Sequence, residues 1–216
     1  MIRQLMLATA LCCVGHLDAQ TVVAPTSDGP DAPYWVSITL GFQEAFTIAD
    51  GSTNTEWRFA DAQSYSATVE RRLASDLSVG LLFSHTPSTL TYVAEPAATN
   101  VPSECAIPCP ATASVNQFAA VVHKGNGRGL HQVFEGSLGV TTVSVMKAKV
   151  TGNPLPPGTT STAPTGTIAY GFGYALSDKA LLEFVEQGQL ILPSHRTAGT
   201  SAPRTLATLI TFRLGL

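Results

Sequence analysis

The sequence predicts an all-β fold, an eight-stranded antiparallel up-and-down transmembrane β-barrel. Three observations lead there. Segments of eight to twelve residues alternate bulky apolar side chains with small or polar ones, which is the period of a strand with one greasy face. These segments come in pairs across short polar turns. Charge is scarce, at 12% of 216 residues with a formal net charge of -3, so no strand carries enough charge for a face turned to water.

The first 19 residues have Arg3 ahead of an apolar run from Leu5 to Val14 and a small-residue stop at Ala19, the layout of an export signal. The run is far shorter than the roughly 20 residues a membrane-crossing helix needs. Cys12 and Cys13 do not read as a lipidation site, because Leu11 stands where a small residue is required. Residues 20–33, rich in Pro, Asp and Gly, read as a flexible lead-in, and the barrel is expected over 34–216.

The strands follow in order. YWVSITLGF sets Tyr34, Val36, Ile38, Leu40 and Phe42 against Ser37, Thr39 and Gly41. SYSATVERRL and LSVGLLFS, separated by Ala74, Ser75 and Asp76, form a hairpin. NQFAAVVH and VFEGSLGV form a second hairpin across KGNGR, with Phe118, Val122, Phe134, Leu138 and Val140 on the greasy side. TIAYGFGYAL and ALLEFVEQ form a third across Ser177, Asp178 and Lys179. The last segment, TLATLITFRLGL, puts Leu206, Ile210, Phe212, Leu214 and Leu216 opposite Ala207, Thr211, Arg213 and Gly215.

Longer stretches near 49–59, 94–113, 145–163 and 192–203 read as loops on the opposite rim from the short turns. Short turns on one rim and long loops on the other is the layout of a transmembrane barrel. Large apolar residues then face lipid, which offers no hydrogen-bond partners, and small polar ones face the lumen. A soluble barrel of the same meander would reverse this and expose many charges.

The few strand charges are expected inside. An eight-stranded barrel is only wide enough for its own side chains, so Glu70, Glu135 and Glu183 with Arg72 and Arg213 are read as a network that plugs the lumen, each carboxylate needing a basic partner or water. Cys105 and Cys109 have a spacing that fits a local disulfide, favoured by an oxidising exported setting, and also half a metal site, for which no second pair is present.

On these residues the chain resembles the small outer-membrane barrels of Gram-negative bacteria, the group that contains the outer membrane protein A transmembrane domain, protein X and protein W. The resemblance covers Tyr34 to Leu216. It implies an outer-membrane location, contact with outer-membrane lipids, and a last strand, Ile210, Phe212, Leu214 and Leu216, of the kind read by the barrel-assembly machinery. That group usually ends in an aromatic residue, where this chain has Leu216 with Phe212 on the same face. No peptidoglycan-binding domain is expected after Leu216.

No catalytic constellation emerges. Some outer-membrane barrels are lipid deacylases with a His and a Ser two residues apart, whereas His85 and Ser88 are three apart and so face opposite sides of a strand, with Glu95 the only acid nearby. His123 and His131 flank a turn and make too thin a metal site. GNGRG lacks a dinucleotide-binding spacing. Scattered Lys and Arg give no footprint for nucleic acid. The expected protein is therefore a non-enzymatic barrel without metal or cofactor, structural or presenting its long loops to an extracellular partner. A narrow channel for small or apolar solutes and a lipid hydrolase are the alternatives.

Overall fold

The computed structural model describes residues 32–96, 98, 101–102, 105, 108–125, 127–192 and 203–216. The export signal read over 1–19, and the lead-in up to 31, lie outside them.

Among the described residues, eleven strands form one antiparallel sheet: β1 (Tyr34–Gln43), β2 (Phe46–Asp50), β3 (Thr55–Phe59), β4 (Ala62–Ala74), β5 (Leu77–Ala94), β6 (Cys109–Lys124), β7 (Leu130–Val143), β8 (Lys147–Ala148), β9 (Ser161–Ser177), β10 (Ala180–Ile191) and β11 (Arg204–Gly215). Eight of these close the barrel in chain order, β1-β4-β5-β6-β7-β9-β10-β11, and β11 returns to β1 with Trp35 opposite Gly215 and Gln43 opposite Ala207. Closure leaves no barrel strand edge unpaired.

Below, the faces follow the alternation of the sequence. Ile38, Leu81, Phe83, Phe118, Leu138, Ile168 and Phe172 point outward and are exposed, while Ser37, Thr39, Thr68, Ser78, Ser137 and Thr167 are buried inside. Phe134, Tyr170 and Phe172 form an aromatic run on the outer wall, with ring centroids 4.8 and 5.9 Å apart. Glycines let the wall pack inward: a Cβ at Gly171 would stand 2.0 Å from the carbonyl oxygen of Phe184.

Above, the faces invert. Leu90, Tyr92, Ala111, Val115, Val143 and Ile191 turn inward into an apolar core, and Thr89, Thr91, Thr112 and Thr142 turn outward. This is where the structure departs from the sequence reading. Parts of the stretches 49–59, 94–113 and 145–163 are strand: β2 and β3 make a hairpin that pairs onto the upper part of β5, β6 already begins at Cys109, β8 pairs onto β6, and β9 begins at Ser161, while 193–202 of the fourth stretch lie outside the described residues. The outward residues there are Thr, Ser and Pro and the inward ones often Ala, so the alternation of bulk that marks the lower strands fades.

Strand length shows why two regimes are needed. β5 has 18 residues, and at about 3.3 Å each with a tilt of about 40° it climbs about 45 Å. The apolar band of an outer-membrane barrel is about 25 Å tall. Strand beyond such a band would stand in water, which demands the opposite polarity, apolar inside and polar outside.

Candidate functional site in the lumen and its upper rim

Parity along β11 turns Arg213 inward with Thr211 and Gly215, and the barrel shear carries it to residues of β4, β5 and β10. Its Nη2 donates to Glu70 Oε2 at 2.6 Å and to Ser78 Oγ at 3.3 Å, and its Nη1 donates to Glu183 Oε1 at 3.1 Å. The guanidinium lies over the ring of Trp35, 5.2 Å from the centroid, a cation–π stack that orients it. Glu70 also accepts from Thr68 Oγ1 at 3.1 Å and from the Ser78 hydroxyl. Each of these ionic side chains is almost wholly shielded from solvent, at 1% for Arg213, 1% for Glu70 and 3% for Glu183.

His123 extends the cluster. It stands 3.4 Å from Glu183 and 3.6 Å from Glu135, contact lengths for ionic partners rather than short hydrogen bonds. Of the charges expected in the lumen, the structure thus brings together Glu70, Glu135, Glu183 and Arg213. Arg72 stands half-buried near the short-turn end of β4, where its backbone N–H donates to the Pro33 carbonyl, and His123 is the second nitrogen base in the cluster. Sequence reasoning placed His123 beside a turn and overlooked Ser78 and Trp35. The signal was present in parity, since His123 continues the inward series Ala119 and Val121, and it lies opposite both Ser78 and Glu135 in register.

Above the cluster the lumen is polar and tight. Thr39 and Thr211 share a hydrogen bond of 2.8 Å, Ser137 and Thr167 one of 2.6 Å, and Gln189 donates to Gln117 at 3.3 Å. Among the described residues, spaces of about 30 Å³ lie between Ser64, Ser84, Gln117 and their neighbours, each the size of a water site.

Higher still, the apolar core fills the bore under the folded loops. Phe46 stacks on Phe59 at 4.5 Å, and Trp57, Tyr92, Met146 and Leu155 close around them. Asp50 fixes the β2–β3 turn by accepting from the Ser52 backbone N–H at 3.0 Å and the Thr53 hydroxyl at 2.9 Å. Cys105 and Cys109 are joined in a disulfide with their Cα atoms 5.2 Å apart, at the start of β6 and within this core.

The groups weighed for catalysis are kept apart. His85 faces outward and its Nδ1 is 2.7 Å from Asn116 Oδ1, whereas Ser88 is buried inside and its hydroxyl donates to the Thr86 carbonyl at 3.4 Å. His131 is held at the lower turn, with Nδ1 3.0 Å from the Gly129 carbonyl. In the last strand, Phe212, Leu214 and Leu216 are exposed on the outer face, with Ile210 half-buried beside them.

No family model matches this chain, and no curated protein matches it. Solved structures do. Neisserial surface protein A superposes with a TM-score of 0.57 at 12% identity, over 86% of this chain and 98% of that one. The outer membrane protein OprG from Pseudomonas aeruginosa is similar at a TM-score of 0.47 and 11% identity, over 87% and 99% of the two chains. With the closed ring of eight antiparallel strands, the first of these likenesses shows that the chain has the fold of the small eight-stranded outer-membrane β-barrels.

Proposed function

We propose that this protein is a non-enzymatic, non-conducting barrel of the bacterial outer membrane, exported by a cleaved signal peptide, that anchors a stiff β-rim for contact with partners at the cell surface. The observation that carries the reading is the double closure of the bore. The Glu70–Arg213–Glu183–His123 cluster closes it low down, and the apolar core beneath β2, β3 and β8 closes it high up. Transport would need both to open. Pinning β2, β3 and β8 by strand pairing and an apolar core, with a disulfide at the start of β6, has the opposite consequence, because it keeps this part of the surface in one shape and lowers the ordering cost of binding.

In this reading, lipids cover the lower outer wall, and β11 is the segment handed to the barrel-assembly machinery. The test is electrical. Purified full-length protein, shown to be folded by a heat-dependent gel shift, is added to planar bilayers. Absence of discrete steps supports a closed barrel; regular ion-conducting steps from the wild type would favour the channel reading and overturn this one. Fatty-acid release from lipid micelles that Ser88→Ala abolishes would overturn its non-enzymatic part.

A further inference from the structure

At the long-loop end a cleft lies between the tip of the β2–β3 hairpin and the connection from β8 to the start of β9, with a volume of about 320 Å³. Sites for small molecules begin at about 300 Å³, so the cleft has the size for a short ligand. Its floor is made of the buried Ile48, Asp50 and Trp57; Ser52 stands exposed on one side, and Thr159 and Thr160 on the other.

Both walls are fixed by the fold. On the hairpin side, Asp50 Oδ1 accepts from the Ser52 backbone N–H at 3.0 Å and from its hydroxyl at 2.8 Å, Asp50 Oδ2 accepts from the Thr53 hydroxyl at 2.9 Å, and Trp57 Nε1 donates to Thr55 Oγ1 at 2.9 Å. On the other side, Leu155 is buried in the upper core and its N–H donates to the Met146 carbonyl at 2.9 Å. The chain then turns at Gly158, whose φ of 70° suits glycine, and enters β9, where Ser161 pairs with Val143. A cleft held in this way is pre-formed, and a ligand has little ordering left to impose.

The lining selects a chemistry. Serine and threonine hydroxyls both donate and accept, as the hydroxyls of a sugar ring do. A held carboxylate accepts a further hydroxyl in a charge-assisted bond, about twice as strong as a neutral one. Ile48 and Trp57 give the apolar face of a sugar ring a surface to lie on. Among the described lining residues, Asp50 carries the only charge. It repels sulfate, phosphate or a second carboxylate, and a single carboxylate is a poor cage for a divalent cation.

We propose that this cleft binds the end of an uncharged glycan, with Asp50 accepting from one of its hydroxyls and Thr159 and Thr160 bonding it from the opposite side. The inference rests on the surface-contact reading above and names the class of its partner.

The experiment applies full-length protein in lipid nanodiscs, shown to be folded by its heat-dependent gel shift, to a glycan array. The array carries uncharged oligosaccharides ending in glucose, galactose, mannose or N-acetylglucosamine, and acidic ones ending in sialic acid or sulfate. Bacterial surface polysaccharides and animal-cell glycans are printed apart, so the retaining spots also identify the source. Uncharged spots should retain the protein about tenfold more strongly than acidic ones. Thr160→Trp, which fills the cleft from an exposed position, and Asp50→Asn should each lower that retention about tenfold. Arg58→Ala, on the outward face of β3, should leave it unchanged. Retention on no spot, retention on acidic spots alone, or undiminished retention in a folded Thr160→Trp overturns the proposal and leaves the surface-contact reading in place; if that variant does not fold, undiminished retention in Asp50→Asn overturns it. A wild-type chain with no heat-dependent shift overturns the membrane reading itself, and the glycan site with it.

Discussion

Arg213→Ala is the sharpest test of how the lumen is held. The substitution removes the cation that lies 2.6 Å from Glu70 and 3.1 Å from Glu183, and leaves both carboxylates inside a closed bore at 1% and 3% exposure. Breaking a buried pair by deleting one partner costs about 3–5 kcal/mol, because the remaining charge stays desolvated. With about 4 kcal/mol lost and a urea slope of about 2 kcal/mol per molar, the unfolding midpoint should fall by about 2 M. The chain has two tryptophans, and Trp35 stacks on Arg213 while Trp57 sits in the upper core. Fluorescence in a Trp57→Phe background therefore reports the lower lumen alone. The triple variant Glu70→Gln, Glu183→Gln, Arg213→Leu removes Arg213 together with the two carboxylates it holds, leaves the contact of His123 with Glu135, and should recover most of the loss. A single variant within about 1 kcal/mol of the wild type, outside the range for a broken buried pair, would refute the reasoning. A triple variant as unstable as the single one would show that packing of the Arg213 side chain, and not its charge, holds the lumen.

Other expectations follow from the two faces and two heights. Leu81→Arg, on the lower outer wall, should cost about 2–4 kcal/mol in lipid, while Thr89→Lys on the upper outer wall of the same strand should stay within about 0.5 kcal/mol; urea titration in vesicles separates them. Gly171→Ala would push a Cβ to 2.0 Å from the Phe184 carbonyl oxygen, against 3.9 Å for the nearest neighbour in Gly188→Ala. The first should therefore lose about 1–3 kcal/mol, and the second should fold as the wild type does. Replacing Cys105 and Cys109 by Ser opens a loop of sequence separation 4, worth about 2 kcal/mol of closure entropy. The gel shift should persist, and limited proteolysis should cut faster between β5 and β6.

The lower barrel was legible in the sequence because the lipid proposed to surround it imposes a strong rule. Each outward position must be apolar, so Tyr170, Phe172, Tyr174 and Leu176 alternate with Ala169, Gly171, Gly173 and Ala175 without interruption. The upper barrel was not, because its demand is weaker. Thr112 and Ser114 outside against Ala111 and Ala113 inside differ little in bulk, and Pro87, Pro110 and Pro164 look like loop residues although they lie within strands. The Trp57 and Phe59 that core the β2–β3 hairpin were read inside a loop for the same reason. For the lumen, parity gave the inward direction of Glu70, Glu183 and Arg213, but partners are set by barrel shear, which no single strand encodes. That is why His123 was not grouped with them.

The central claim is that one continuous strand passes from a lipid-facing to a water-facing outer wall between Phe83 and Thr89. Nitroxide labels placed in turn at Val79, Leu81, Phe83, Thr89 and Thr91 of the protein in lipid vesicles measure this directly, through their relaxation by oxygen, which partitions into lipid, and by a nickel chelate, which stays in water. Labels at Val79, Leu81 and Phe83 should respond to oxygen, and those at Thr89 and Thr91 to the chelate. A chain in which the chelate reaches all five positions alike would be a barrel standing wholly in water, and the account would fall.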